Sequence, residues 1–134
     1  MIATFRSHEA DFDSLVAMLD SDRKLLPAAA LPMGLDGLEA AGVDKARVEA
    51  YRGILVRIGA TGFRFFPKYG NISLLVSALG LGPSGSTKSF FYVASGDAYH
   101  IVADIDHYIP KPDEYPVEID RRIKGKWFIH YDAT

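Results

Sequence analysis

The chain has 134 residues, a net charge of −2, 49% hydrophobic and 24% charged residues, and no cysteine. That length fits one domain, 1–134, which buries roughly two-thirds of the surface its unfolded form exposes, and the balance is that of a globular protein rather than a disordered or membrane-spanning one. Scattered Lys and Arg give no footprint for nucleic acid or an anionic lipid surface, and the lack of cysteine excludes disulfides, thiol catalysis and cysteine-ligated metals.

The start, Met1-Ile2-Ala3-Thr4-Phe5-Arg6, lacks a basic segment followed by an apolar run. As written, the chain is expected in the cytoplasm, or in the periplasm if an export signal has been trimmed from it. A first helix is predicted from Ser7, which would cap exposed amides, with Glu9 and Asp11 in the first turn and Phe12, Leu15, Val16 and Leu19 recurring at helical spacing. Asp20, Ser21 and Asp22 end it. The stretch 24–42, punctuated by Pro27, Pro32, Gly34, Gly37 and Gly42, reads as a loop with one helical turn at most, around Ala28-Ala29-Ala30-Leu31. A loop that long is often functional.

A second helix is better specified. Asp44 is an N-cap, Val43 and Val48 have the spacing of a hydrophobic staple, and Gly59 stands where a left-handed residue closes a helix. Val48, Tyr51, Leu55 and Ile58 form its apolar stripe. Arg47, Arg52 and Arg57 lie on another face, read first as solvated and second as a carboxylate-binding or partner-binding row. Arg52 flanks the stripe.

From Gly62 the period becomes two. Phe63 to Pro67 and Ile72 to Val76 form a hairpin; 80–87 is a glycine-rich loop; Lys88 to Ala94 is an aromatic strand near the sheet centre. Ser95-Gly96-Asp97 turns the chain into Ala98 to Val102, a fourth strand or extended segment. The prolines at 110, 112 and 116 place the next connection on the surface or along a sheet edge. Val117 to Arg121 and Lys126 to Tyr131 close the fold as a hairpin turning near Lys124-Gly125. The fold class is therefore α+β, with two N-terminal helices packed on one face of an antiparallel sheet of about five or six strands.

The chemistry-bearing residues give no strong motif. The glycine loop has the look of a phosphate-binding loop, but Ser86 stands where lysine is required and a strand follows instead of a helix. His100, Asp104, Asp106 and His107 are metal-ligand types without a metal-site spacing, so capping of local amides is the simpler reading and no metal is assigned. Asp104 and Asp106 as paired carboxylates for glycoside hydrolysis need a separation that sequence does not supply. Neither Ser86 nor Ser89 sits in a nucleophile turn, and His130 reads as half-exposed rather than as a base. No catalytic residue and no cofactor is assigned.

Aromatics are more informative. Neighbouring strand residues point to opposite faces, so Phe65 with Phe66, and Phe90 with Phe91, cannot all bury beneath one helical layer. Either the second face exposes aromatics beside Arg64, Tyr92, Tyr99 and Tyr131, as a protein interface would, or the loops at 24–42 and 109–116 cover it. In the closing strand, alternation puts Trp127, Ile129 and Tyr131 against the helices and Phe128 and His130 on the other side.

The helix Arg-x-x-x-Tyr-Arg-x-x-Leu-x-x-Ile-Gly, the glycine loop running into Lys-Ser-Phe-Phe-Tyr and the final Gly-Lys-Trp-Phe-Ile-His-Tyr resemble a diffuse group of small bacterial proteins. In that group the glycine loop leads to Lys-Gly-Tyr-x-Tyr and the chain ends Trp-Tyr-Leu-Tyr. Ser89 departs from the pattern. Some proteins of this kind are immunity proteins of antibacterial effectors, so the resemblance implies a non-enzymatic binder of a cognate toxin. The expected contact residues are Asp104, Asp106, Asp113, Glu114, Phe128, His130 and Arg64, with the loops at 24–42, 80–88 and 104–116. The alternative is a small-molecule or weakly signalled enzyme pocket between the second helix and the sheet, using Arg52, Tyr92 and His100. A homodimer built on the aromatic sheet face is a third reading.

Overall fold

The computed structural model describes residues 1–27, 32–81, 84–98, 100–111, 113–114 and 116–134. Tyr99, the Ala28-Ala29-Ala30-Leu31 turn and part of the proline-rich connection lie outside them. The described residues form an α+β fold: helices α1 (Ile2–Ser7), α2 (Glu9–Asp22), α3 (Leu35–Ala40) and α4 (Lys45–Ile58), then strands β1 (Gly62–Phe66), β2 (Asn71–Leu81), β3 (Ser84–Tyr92), β4 (Val117–Lys124) and β5 (Trp127–Ala133).

Two helical expectations need correction. Ser7 ends α1 instead of capping α2, whose first turn follows His8 without a side-chain cap. The short extra helix bends the chain so that Phe5 stacks on Phe12, ring centres 4.7 Å apart, and both rings meet Trp127. α2 ends at Asp22, within the run expected to close it, and a 3-10 turn, Arg23–Leu25, follows. α3 lies inside the stretch expected to be loop, and its Leu38 is fully buried. In α4 the predicted Gly59 closure is present, with φ of 82°, a value that glycine adopts without strain.

The arginines of α4 are not simply solvated. Arg47 donates to Asp22 at 3.0 Å, the Tyr51 hydroxyl donates to the same carboxylate oxygen, and Arg57 donates to Asp11 through Nε at 3.1 Å and Nη2 at 2.8 Å. These bonds tie α4 to α2. Burial, then the Asp22 carboxylate, push the Tyr51 hydroxyl well above its ordinary pKa, and the Arg57 hydrogen bond holds Asp11 below the usual carboxylate value. Among the described residues Arg52 pairs only with Glu49, on its own helix.

The sheet is antiparallel, in the order β1-β2-β3-β5-β4, so the aromatic strand β3 is central as expected. On one face Phe65, Ile72, Leu74, Phe90 and Trp127 meet Phe12, Leu15 and Leu19 of α2 and the buried residues of α4. A second cluster, Ile105, Val117, Ile119 and Ile129, continues this face and packs with Met1 and Ile2. Trp127 is 4% exposed and meets Phe12 edge-on at 4.9 Å, which makes it the seal expected between sheet and helices.

The described residues of the glycine stretch are strand, not loop. Residues 77–81 and 84–88 continue the β2–β3 ladder beyond a bulge near Val76. Gly80 and Gly85 face each other, and a Cβ on Gly80 would lie 2.4 Å from the Ser84 carbonyl, so only glycine fits that close backbone approach. The described residues of 98–102 form no strand of the sheet, so of the two expectations for this segment the strand is not met. The segment contributes one parallel bridge, Ile101 to Asp120, made by Val102 N to Asp120 O and Asp120 N to His100 O, both 2.8 Å. The connection 93–116 thus wraps the β4 edge, from the face opposite the helices to Ile105 on the helical side. At the other edge Met33 exchanges two backbone hydrogen bonds with Phe65, at 2.7 and 2.8 Å.

Candidate functional site

The face away from the helices is where the residues converge. It carries Arg64 and Phe66 of β1, Ser73 and Leu75 of β2, Thr87, Ser89 and Phe91 of β3, and His130 and Asp132 of β5. Together with Gly62 and Phe63 they line a concave depression of about 550 Å³. Phe66 and Phe91 are half-buried, whereas Phe65 and Phe90 are closed beneath the helices. The excess of aromatics inferred from alternation is therefore real, and Met33, in the stretch expected to cover it, sits beyond the β1 edge instead of over the face.

Register then places three residues side by side. Asp120 of β4 lies opposite His130 of β5, and His130 opposite Ser89 of β3. His130 Nδ1 is 2.8 Å from Asp120 Oδ1. Burial works against an imidazolium here, but the Asp120 hydrogen bond, aided by Asp132 and Glu118, raises His130 above its ordinary pKa. Ser89 is only 5% exposed, and its hydroxyl makes no hydrogen bond with any described residue. The order Ser-His-Asp is that of a nucleophile, base and orienting acid, but β3 supplies no oxyanion donor beside it. β3 is laddered on both sides, so its amides are spent on β2 and β5 and none converges on an oxyanion beside Ser89.

The charges grade across this face. Arg64 is exposed and has no hydrogen-bond or ion-pair partner among the described residues, while the acids Asp120 and Asp132 lie at the far side, held by His130 and Thr87. The depression has a cationic rim, an aromatic floor and an acidic rim whose charges are largely met. Such an arrangement has the chemistry to suit an amphipathic group.

The other residues singled out from sequence do not gather there. Phe128 shares this face but has 0% exposure: the Arg122 guanidinium lies 4.6 Å above its ring and donates to the carbonyls of Gly96 and Gly125, so Phe128 offers no surface for contact. Asp104 and Asp106 belong to the wrapping segment on the helical side, near Lys88 and Arg121. His107 bonds Asp104 at 2.7 Å and Lys88 pairs with Asp106, which holds both carboxylates below their usual pKa and partly neutralises them. Glu114 accepts from the Tyr108 hydroxyl and from the Lys111 amide at 2.9 Å, and lies 3.8 Å from His100. Asp113 is exposed. Asp104 and Asp106 and the Arg64–His130 face thus lie on opposite sides of the sheet.

The pocket expected beneath the second helix is filled by Tyr51, Ile54, Leu55 and Ile58. Arg52 is on the exposed side of α4, Tyr92 packs on Trp127 at 5.2 Å, and His100 lies outside β4, so the three do not converge. Among the described residues no three His, Asp or Glu side chains are grouped to hold a metal ion, and no helix is long and apolar enough to cross a membrane. Sequence reasoning missed Ser73, Leu75, Thr87 and Asp132 as neighbours of Arg64 and His130, because only the strand register brings them together. No protein-family model, no curated protein and no solved structure compared with this chain matches it.

Proposed function

We propose that the chain is a non-enzymatic binding domain that docks a protein partner on the open face of its sheet. The observation that carries this reading is the depression itself, where half-buried Phe66 and Phe91 lie beside an Arg64 that no described residue neutralises. A partner side chain seated there would complete the burial of both rings and offer the Ser89 hydroxyl a hydrogen bond, as the anchors of protein interfaces do. The resemblance to small bacterial immunity proteins narrows the partner to a toxin or secreted effector that this chain neutralises.

Expression of the chain in cells exposed to the effector encoded beside its gene tests both levels. Protection that disappears in Phe91→Asp and Arg64→Glu variants of unchanged circular dichroism supports the open face as the contact. Protection retained in both variants rejects that face, and a wild-type chain that never protects rejects the immunity role.

A second reading, a small-molecule site in the same depression, is favoured by one specific feature: the hydroxyl of Ser89, bonded to no described residue, opens into a hollow of about 550 Å³. Small aromatic acids that shift the NMR signals of Ser89, Phe91 and His130 without any protein partner would decide for it.

A further inference from the structure

Among the described residues the sheet has three stretches of outer edge, and two of them each carry a bridge to another segment. Met33 bridges the outer side of β1 and Ile101 the outer side of β4. The third is the far half of β2. β1 pairs with β2 only as far as Gly62 opposite Leu75, where Thr61 N donates to Leu75 O at 2.8 Å. Beyond the bulge near Val76, residues 77–81 pair with β3 on one side and with no described residue on the other. Their outward backbone groups, met by no described residue, form a template for another strand. Nothing in Ser77-Ala78-Leu79-Gly80-Leu81 guards it: there is no charge and no proline, and Leu79 is 73% exposed.

We propose that a second copy of this chain adds here, the two 77–81 segments pairing antiparallel about a two-fold axis at Leu79. Two features select a copy of the chain over a foreign strand. The vacant lane is closed at its inner end by Thr61 and Gly62, so an occupant must turn away after about five residues. The 77–81 segment does so, because Leu81 already pairs with Ser84 across the hairpin end. Antiparallel self-pairing also sets each residue opposite an uncharged one and Leu79 opposite Leu79, which buries the exposed leucine without facing like charges. A ladder this short gives a dimer of micromolar rather than nanomolar strength. The inference is independent of the docking face, since the edge lies in the plane of the sheet and leaves the depression open.

Sedimentation velocity of the full chain from micromolar to millimolar concentration tests it, with hydrogen exchange read at both extremes. The expected result is a monomer–dimer equilibrium in which the amides of 77–81 gain protection as dimer forms. Leu79→Lys, which places two ammonium groups together at the axis, is expected to sediment as monomer, as is Leu79→Glu, while an equimolar mixture of the two regains dimer. Should the Leu79 variants misfold, Ser77→Lys probes the same edge. A chain that stays monomeric throughout overturns the proposal. So does a dimer that survives Leu79→Lys or forms without protecting 77–81.

Discussion

The two faces of the sheet are made from alternate residues of the same strands, and they are closed by different means. On the helical face, Phe65, Phe90 and Trp127 bury against two long helices, and most of the closure is side chain on side chain. On the open face, Phe66 and Phe91 have no such layer, while Phe128, at the acidic end, is closed by one arginine held by two backbone carbonyls. The comparison teaches that burial and layering are separate matters. A strand residue can be core without facing a helix, and its uncovered neighbours are then free for binding.

The largest effect should come from the helical face. Trp127→Ala removes a ring that meets Phe5, Phe12 and Tyr92 and is expected to cost about 3–5 kcal/mol in urea denaturation. Phe128→Ala is the sharper test, because the ring faces away from the helices. If closure by Arg122 is real packing, the cost approaches about 3 kcal/mol; a cost below about 1 kcal/mol would mean that the open face has no core of its own. Tyr51→Phe removes one of two bonds to Asp22 and should cost about 1–3 kcal/mol, because it strips a hydrogen bond from a carboxylate.

A smaller effect depends on pH. His130 has a folded pKa above its ordinary value of about 6.5, so its contribution is fully present below about pH 6.5 and fades as pH rises through the folded pKa. Unfolding free energies measured from about pH 6 to about pH 8.5 should fall more for the wild type than for His130→Gln. Parallel curves would show that the Asp120–His130 contact does not couple to folding. The smallest expected change is in Phe91→Ser, with a stability loss under about 1.5 kcal/mol and its consequence confined to binding.

What sequence disclosed follows the same division. The helical stripes of α2 and α4, the Gly59 closure, the central place of β3 and the two-sided assignment of Trp127 and His130 all rest on local periodicity, and they hold. What escaped depends on pairing over distance. Residues 77–81 and 84–88 are rich in Gly, Ser and Ala, which have little strand preference, so only the Gly80–Gly85 approach reveals the longer hairpin. α1 is too short to show a period. The separation of Asp104 and Asp106 from Arg64 and His130 reflects how the 93–116 connection wraps the edge, a path no periodicity encodes.

The position of β5 also governs the order of assembly. It lies between β3 and β4, so Tyr92 meets Trp127 only after the whole stretch 93–126 has been closed into a loop. Closing that loop has an entropy cost that the β1–β2–β3 meander and the β4–β5 hairpin each avoid. The chain should therefore gain its helices, meander and closing hairpin as two local units, whose docking along the β3–β5 seam is the slow step. Trp127 stands at one end of that seam, so its fluorescence reports the docking directly, whereas helix formation, followed by circular dichroism, should run ahead of it.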